Sequence, residues 1–265
     1  MIRLAVRVRR ERAELVLAEL LELVPAGVEE VSDGDVVEYG VYGAPGELPA
    51  LPDLKAAAGG ALVEIATSEV GDDWREGWRA YHRPVVVSDR LTVRPPWESA
   101  GSVPLDVVID PGQAFGTGAH ASTRLCLELL LDVRAGGSLL DLGCGSGVLA
   151  IAAARLGFVP VLALDNDPAA LNATTANAAL NGVELEARRL DLRTEPVPPA
   201  DTIVANLLAP LLRQLAPRLT ASRVIASGLL ASEADSAAAE FAAHGLAESR
   251  RAERAGWAAL LVKRD

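Results

Sequence analysis

The densest run of chemically useful residues is Leu139-Leu-Asp-Leu-Gly-Cys-Gly-Ser-Gly-Val-Leu-Ala, which reads as a strand, a glycine-rich turn and a helix start. Gly143, Gly145 and Gly147 let the backbone turn sharply and let a ligand approach its amides closely. The helix start adds unsatisfied N–H groups that point at the ligand. Asp165 ends the next apolar run, Val161-Leu-Ala-Leu-Asp, 165 − 143 = 22 positions after Gly143. A carboxylate there can accept hydrogen bonds from two ribose hydroxyls. A dinucleotide site has the same layout, and Asp141 separates the two. Its carboxylate precedes the first glycine, where it would repel a pyrophosphate but receive a cationic amino-acid head group. S-adenosylmethionine carries a sulfonium, an ammonium and a ribose but no phosphate, and is the expected cofactor.

Other candidates flank this turn. Asp191 follows the third strand, where it either accepts from an adenine amino group or is a solvated turn residue. Asn206 ends the fourth strand, where binding groups gather in open α/β sheets. Its side-chain carbonyl could hold a substrate amine, or the residue could cap the next helix. The stretch Asp110-Pro-Gly-Gln-Ala-Phe-Gly-Thr-Gly-Ala-His-Ala-Ser-Thr leads into a helix from Ser122. Within it Phe115, Gly116 and Thr117 could lie over a ligand, and Thr123 offers a hydroxyl at the helix start. His120 is either a base or a helix-terminal hydrogen-bonding residue.

Composition narrows the class. The chain has 265 residues, half of them hydrophobic, which supports a sizeable core and excludes a wholly disordered chain. A net charge of -11 opposes non-specific binding to nucleic acid. Two cysteines, Cys126 and Cys144, make no disulfide framework, and three scattered histidines give no metal site. No apolar run reaches the ~20 residues of a membrane span, and no signal peptide opens the chain. A cytoplasmic monomer without membrane attachment is expected.

The elements that must position these residues fall into two groups. Residues 1–66 read as β-α-β-β-α-β, a small ferredoxin-like unit, with Asp33-Gly34-Asp35 as a turn. In its first helix Leu15, Leu17, Leu20, Leu21 and Val24 recur at helical spacing. Residues 67–96 read as a linker in which Trp74 and Trp78 share one helix face and staple it to a neighbour. Residues 97–265 alternate apolar strands with Ala/Leu-rich helices, including one over Leu207–Leu219, the texture of a doubly wound parallel sheet. The connection between the last two strands is too short for a crossover helix, so one terminal strand should run antiparallel.

Asp110-Pro-Gly-Gln-Ala-Phe-Gly-Thr-Gly-Ala-His-Ala-Ser-Thr, the 141–153 run, Asp165-Asn-Asp-Pro and Ala205-Asn-Leu-Leu together resemble the PrmA family, bacterial methyltransferases of ribosomal protein L-eleven of the large subunit. The resemblance runs from about Asp72 to Lys263 and includes Trp74, Trp78, Ser227-Gly-Leu-Leu and Trp257. Ala121-Ser122 stands where the family more often has proline–threonine, and Asn206-Leu207 where it has asparagine–isoleucine. The resemblance implies a class I methyltransferase (Rossmann-like) sheet, with Thr123, Gly143, Asp165 and Asn206 on the cofactor. It also implies an amino-terminal unit that docks the substrate protein, and methylation of lysine ε-amines and an α-amine. The alternatives are a methyltransferase of another protein or small molecule, and a non-catalytic ribosome-interaction module.

Overall fold

A computed structural model of the chain describes residues 2–23, 28–43, 48–49, 51–69, 82–111 and 118–264. It divides into two compact units, Met1–Tyr81 and His82–Asp265. Among the described residues no helix is long and apolar enough to cross a membrane, and no group of His, Cys, Asp and Glu could hold a metal ion. The Trp74–Trp78 pair, together with Phe115, Gly116 and Thr117, lies outside the described residues.

In the first unit, β1 (Ile2–Arg9) buries Leu4, Val6 and Val8 on one face and the small Ala5 on the other. Strands β2 (Glu29–Asp33), β3 (Val36–Gly43) and β4 (Leu62–Glu69) complete an antiparallel sheet in the order β2-β3-β1-β4. Gly34, at φ 55°, makes the β2–β3 turn that the sequence marks. Helices α1 (Ala13–Leu23) and α2 (Leu51–Ala58) supply the rest of the core. The buried stripe of α1 is Ala13, Val16, Leu17 and Leu20, whereas Leu15 is 49% exposed, so the face read from the leucines alone is rotated. Tyr39 pins sheet to helix by donating its buried hydroxyl to the Ala13 carbonyl at 2.8 Å. Arg3 and Arg7 carry a ladder of ion pairs with Glu29, Glu38 and Glu64 across the strands.

The second unit opens with a three-stranded sheet that the sequence does not announce: β5 (Val85–Val87), β6 (Leu91–Arg94) and β7 (Leu105–Val108). The β5–β6 turn places Ser88 and Asp89 at φ 50°, a conformation usually signalled by glycine or asparagine. Arg94 forks onto Asp106 of the adjacent strand, at 2.8 Å from Nη2 to Oδ2.

Helix α3 (Ala121–Asp132) then leads into the main sheet. That sheet holds β8 (Leu139–Leu142), β9 (Val161–Asp165), β10 (Glu186–Arg189), β11 (Thr202–Asn206), β12 (Arg223–Leu230), β13 (Ala247–Arg254) and β14 (Trp257–Lys263). Helices α4 (Val148–Leu156), α5 (Pro168–Asn181), α6 (Ala209–Leu215) and α7 (Ala234–Ala243) connect the strands. The order is β10-β9-β8-β11-β12-β14-β13. Strands β8 to β12 pair in parallel, and β14 runs antiparallel to both its neighbours, the reversal that the short last connection requires. Helix α6 is shorter than the Leu207–Leu219 reading, since Pro217 falls in a 3-10 turn, Ala216–Arg218, after it. Strand order reverses between β8 and β11, and their carboxyl ends open the crevice where such sheets bind ligands.

Candidate active site

The glycine turn lies between β8 and α4. Gly143, Gly145 and Gly147 all have positive φ, and the N–H groups of Gly143 and Cys144 donate to the Leu164 carbonyl of β9 at 2.8 and 3.0 Å. Gly143 (φ +72°) supplies the left-handed freedom that the turn needs; an added Cβ would also stand 2.6 Å from Leu207 Cδ2, the tip of a side chain that would have to swing aside. Asp165, at the end of β9, accepts the Gly145 N–H on Oδ2 and the Asp167 N–H on Oδ1, each at 3.0 Å. A carboxylate has about four lone-pair sites, so both oxygens can still accept from a ligand.

A cleft beside the turn is lined by Thr123, Gly143, Cys144, Gly145, Val148, Leu149 and Asn206. It brings together four of the residues marked in the sequence, with Asp165 bonded to its rim at Gly145. Asn206 does not cap α6, whose N-cap is Leu208. Its Nδ2 instead donates to Thr123 Oγ1 at 3.1 Å, which fixes the amide and keeps Oδ1 as an acceptor. The Asn206–Leu207 backbone is held by β12: Leu207 N–H donates to the Ser227 carbonyl at 3.0 Å. Next to it the Cβ position of Gly228 (φ +83°) lies 2.4 Å from the Leu207 oxygen.

Asp141 lies in β8 and does not line the cleft. Its side chain is fully buried; Oδ2 accepts the Ala150 N–H at 3.0 Å, and Oδ1 has no partner among the described residues. Burial pushes its carboxyl up to about 7; the Ala150 N–H opposes that rise and the nearby Asp165 charge adds to it. Burial also raises the thiols of Cys126 and Cys144, both free. Asp191 serves its own turn, accepting the Arg193 N–H on Oδ1 at 2.9 Å. The Leu190 N–H beside it donates to the Asp165 carbonyl, one strand from the glycine turn.

His120 occupies the helix-terminal place, one of its two readings. It caps α3, with Nδ1 accepting the Ser122 N–H, and meets the Trp257 ring edge-on at 4.8 Å between centroids. Burial lowers its imidazole to about 4, so at neutral pH it is an uncharged acceptor.

The sequence reading missed a buried polar stripe on α5. Thr174, Asn177 and Asn181 lie on one face of that helix at i, i+3 and i+7, all 5% exposed or less. Thr174 Oγ1 donates to the Gly145 carbonyl at 3.0 Å. Asn177 Nδ2 donates to the Ser146 carbonyl at 2.9 Å, and its Oδ1 accepts the Asp110 N–H at 2.9 Å. Asn181 accepts the Val108 N–H and donates to the Val108 carbonyl, as a neighbouring strand would. The sequence shows only their helical spacing, which does not tell a buried polar face from a solvated one.

Residues 53–265 match the family described as ribosomal protein L11 methyltransferase (PrmA). A protein named ribosomal protein L11 methyltransferase from Symbiobacterium thermophilum is 39% identical over 201 residues, 72% of this chain and 66% of that one. A protein of the same name from Heliobacterium modesticaldum is 40% identical over 203 residues, 73% of this chain and 64% of that one. The matched region thus spans slightly less than two thirds of these relatives' own length. The crystal structure of ribosomal protein L11 methylase from Lactobacillus delbrueckii subsp. bulgaricus superposes with a TM-score of 0.64 at 30% identity. It covers 69% of this chain and 100% of that chain. With more than half its length matched on a sheet of this order, the chain belongs to the ribosomal protein L11 methyltransferase (PrmA) family.

Proposed function

We propose that the chain is an S-adenosylmethionine-dependent methyltransferase that acts on lysine ε-amines and an α-amine of ribosomal protein L11. The observation that carries the reading is the Asn206 amide, locked by Thr123 at the mouth of a glycine-turn cleft whose rim holds Asp165. The His82–Asp265 unit would carry the cofactor and the first unit would select the substrate; the stretch read as a linker, 67–96, ends inside the second unit, taking in β5 and β6. A cytoplasmic monomer that needs no nucleic acid is part of the same proposal.

The donor set fits the cofactor. Asp165 offers lone pairs to ribose hydroxyls, and Gly143 and Gly145 bring bare backbone to the cleft. Asp141, buried beneath the turn and outside the cleft lining, would support the turn through the Ala150 N–H and would not touch the ligand. S-adenosylmethionine, when bound, supplies a methyl group on a sulfonium already activated for displacement. The protein then has to align an amine and exclude water. Asn206 Oδ1 would accept an N–H of the incoming amine and turn its lone pair along the line of attack. A lysine must first lose a proton, which costs about 4–5 kcal/mol at neutral pH from a reference pKa near ~10.4. His120 is committed to its helix cap, so that proton passes to water, with Asn206 holding the neutral amine.

The test is incubation with methyl-labelled S-adenosylmethionine and a same-species ribosomal extract. One labelled band with the mass of L11 supports the reading. Label in small molecules points to a metabolite enzyme, and binding without transfer points to a non-catalytic module. Asn206→Ala should lower kcat by about tenfold to a hundredfold, and Thr123→Val somewhat less, as expected for lost hydrogen bonds that orient the amine. Full turnover in Asn206→Ala would remove that residue from the mechanism.

A further inference from the structure

Two stretches distant in sequence meet on one side chain. Asn177 binds the Ser146 carbonyl in the glycine turn and the Asp110 N–H in the segment that leads, in sequence, to the phenylalanine–glycine motif. The side chain is 1% exposed, and its amide spends a donor on one stretch and its acceptor on the other. Neighbours on the same helix face hold each stretch separately: Thr174 takes the turn at Gly145, and Asn181 takes Val108 through both backbone groups. Only the middle residue of the three spans both.

We propose that Asn177 is a positioning residue for cofactor binding, setting the 108–111 segment against the glycine turn so that the cleft keeps its binding geometry. A buried amide is expensive to bury unless both its ends are bonded, and here the two ends join the two halves of a site. The role rests on the cofactor reading given above, yet the bridge itself can be read without any ligand.

Three variants of the full chain separate bridging from packing. Asn177→Leu keeps the branched heavy-atom shape, with bulkier methyl groups, and removes both bonds. Asn177→Asp keeps the acceptor for Asp110 and loses the donor to Ser146. Asn181→Leu removes the Val108 bonds and one to the Asn177 backbone carbonyl, but leaves the Asn177 amide and the glycine turn untouched. With S-adenosylhomocysteine as the calorimetric probe, Asn177→Leu should raise Kd by about tenfold or more, the size of a lost buried hydrogen-bond pair. Asn181→Leu should stay within about twofold of the unaltered chain even if its melting temperature falls as far, because the two sites do not share partners in the turn. In turnover assays the Asn177→Leu loss should appear mainly in KM for S-adenosylmethionine, with kcat nearly kept.

Amide hydrogen exchange supplies the readout that needs no ligand. In the unaltered chain the Asp110 amide should be protected although the residue is exposed; it should stay protected in Asn177→Asp and exchange freely in Asn177→Leu. Fast exchange at Asp110 in the unaltered chain would overturn the bridge. So would equal losses of affinity in Asn177→Leu and Asn181→Leu. Failure of the unaltered chain to take up the probe, with Asp110 protected as expected, would overturn the cofactor role and the reading of the cleft together, while the bridge stood.

Discussion

Gly228→Ala should disable the site from the neighbouring strand, β12. Gly228 sits at φ +83°, at the register shift between Ser227 and Leu229, and its Cβ position is 2.4, 2.8 and 3.0 Å from the O, C and N atoms of Leu207. These are backbone atoms, so no side-chain rotation relieves the overlap. Restoring even 3.0 Å to the oxygen moves that peptide by 3.0 − 2.4 = 0.6 Å. A left-handed alanine costs about 1–2 kcal/mol and an overpacked contact about 1–3 kcal/mol. A total near 3 kcal/mol lowers Tm by about 6–12 °C in a unit of this size. The displaced peptide adjoins Asn206, and a shift approaching 1 Å at an aligning residue costs on the order of tenfold to a hundredfold in rate. Differential scanning calorimetry and a methyl-transfer assay at saturating S-adenosylmethionine read the two effects. If Gly228→Ala melts within about a degree of the parent and turns over at the parent rate, the account of how β12 places Asn206 is wrong.

Two further predictions concern pH. Asp141 titrates near 7 in the folded chain against 3.8 for a free aspartate, so the folded state keeps a proton that the unfolded state has lost. Stability should therefore fall as pH rises from about 4 to about 7, and Asp141→Asn should remove that slope, becoming the more stable form by up to a few kcal/mol near pH 8. A difference between the two proteins that does not vary with pH would refute this. His120, lowered to about 4 by burial, binds its proton in the unfolded chain first, so its contribution is complete above the free value of 6.5 and declines as pH falls toward 4. His120→Asn should keep the cap and near-parental turnover, whereas His120→Ala should lose about 1 kcal/mol in thermal melts. A kinetic pKa near 6.5 that vanishes in His120→Asn would restore the imidazole as a base.

What could be read from the sequence was whatever depends on neighbours close along the chain. The glycine turn, Asp165 and the place of Asn206 follow from one strand–turn–helix unit and its successor, within a few tens of residues. The reversed β14 follows from a connection too short for a helix. Long-range bonds left no such trace. Asn177 and Asn181 meet partners 67 and 73 positions away, and an asparagine in an alanine-rich helix looks alike whether it faces water or a peptide. Asp141 was legible as an acid beside the turn but not as one sunk beneath it, because its depth is set by how α4 packs on β8. The three-stranded sheet escaped because Ser88 and Asp89 make a glycine-type turn without glycine.

Strand β14 comes last in chain order yet lies between β12 and β13, with Trp257 to Val262 buried. During synthesis every other strand of the sheet is therefore available before the one that seals its middle. Until residues 257–263 emerge, β12 presents a long apolar edge with open N–H and C=O groups, the kind of edge that recruits foreign strands. Nascent or truncated chains lacking residues 257–263 should be chaperone clients and aggregate, and closure of the seven-stranded sheet has to wait for this region to be translated.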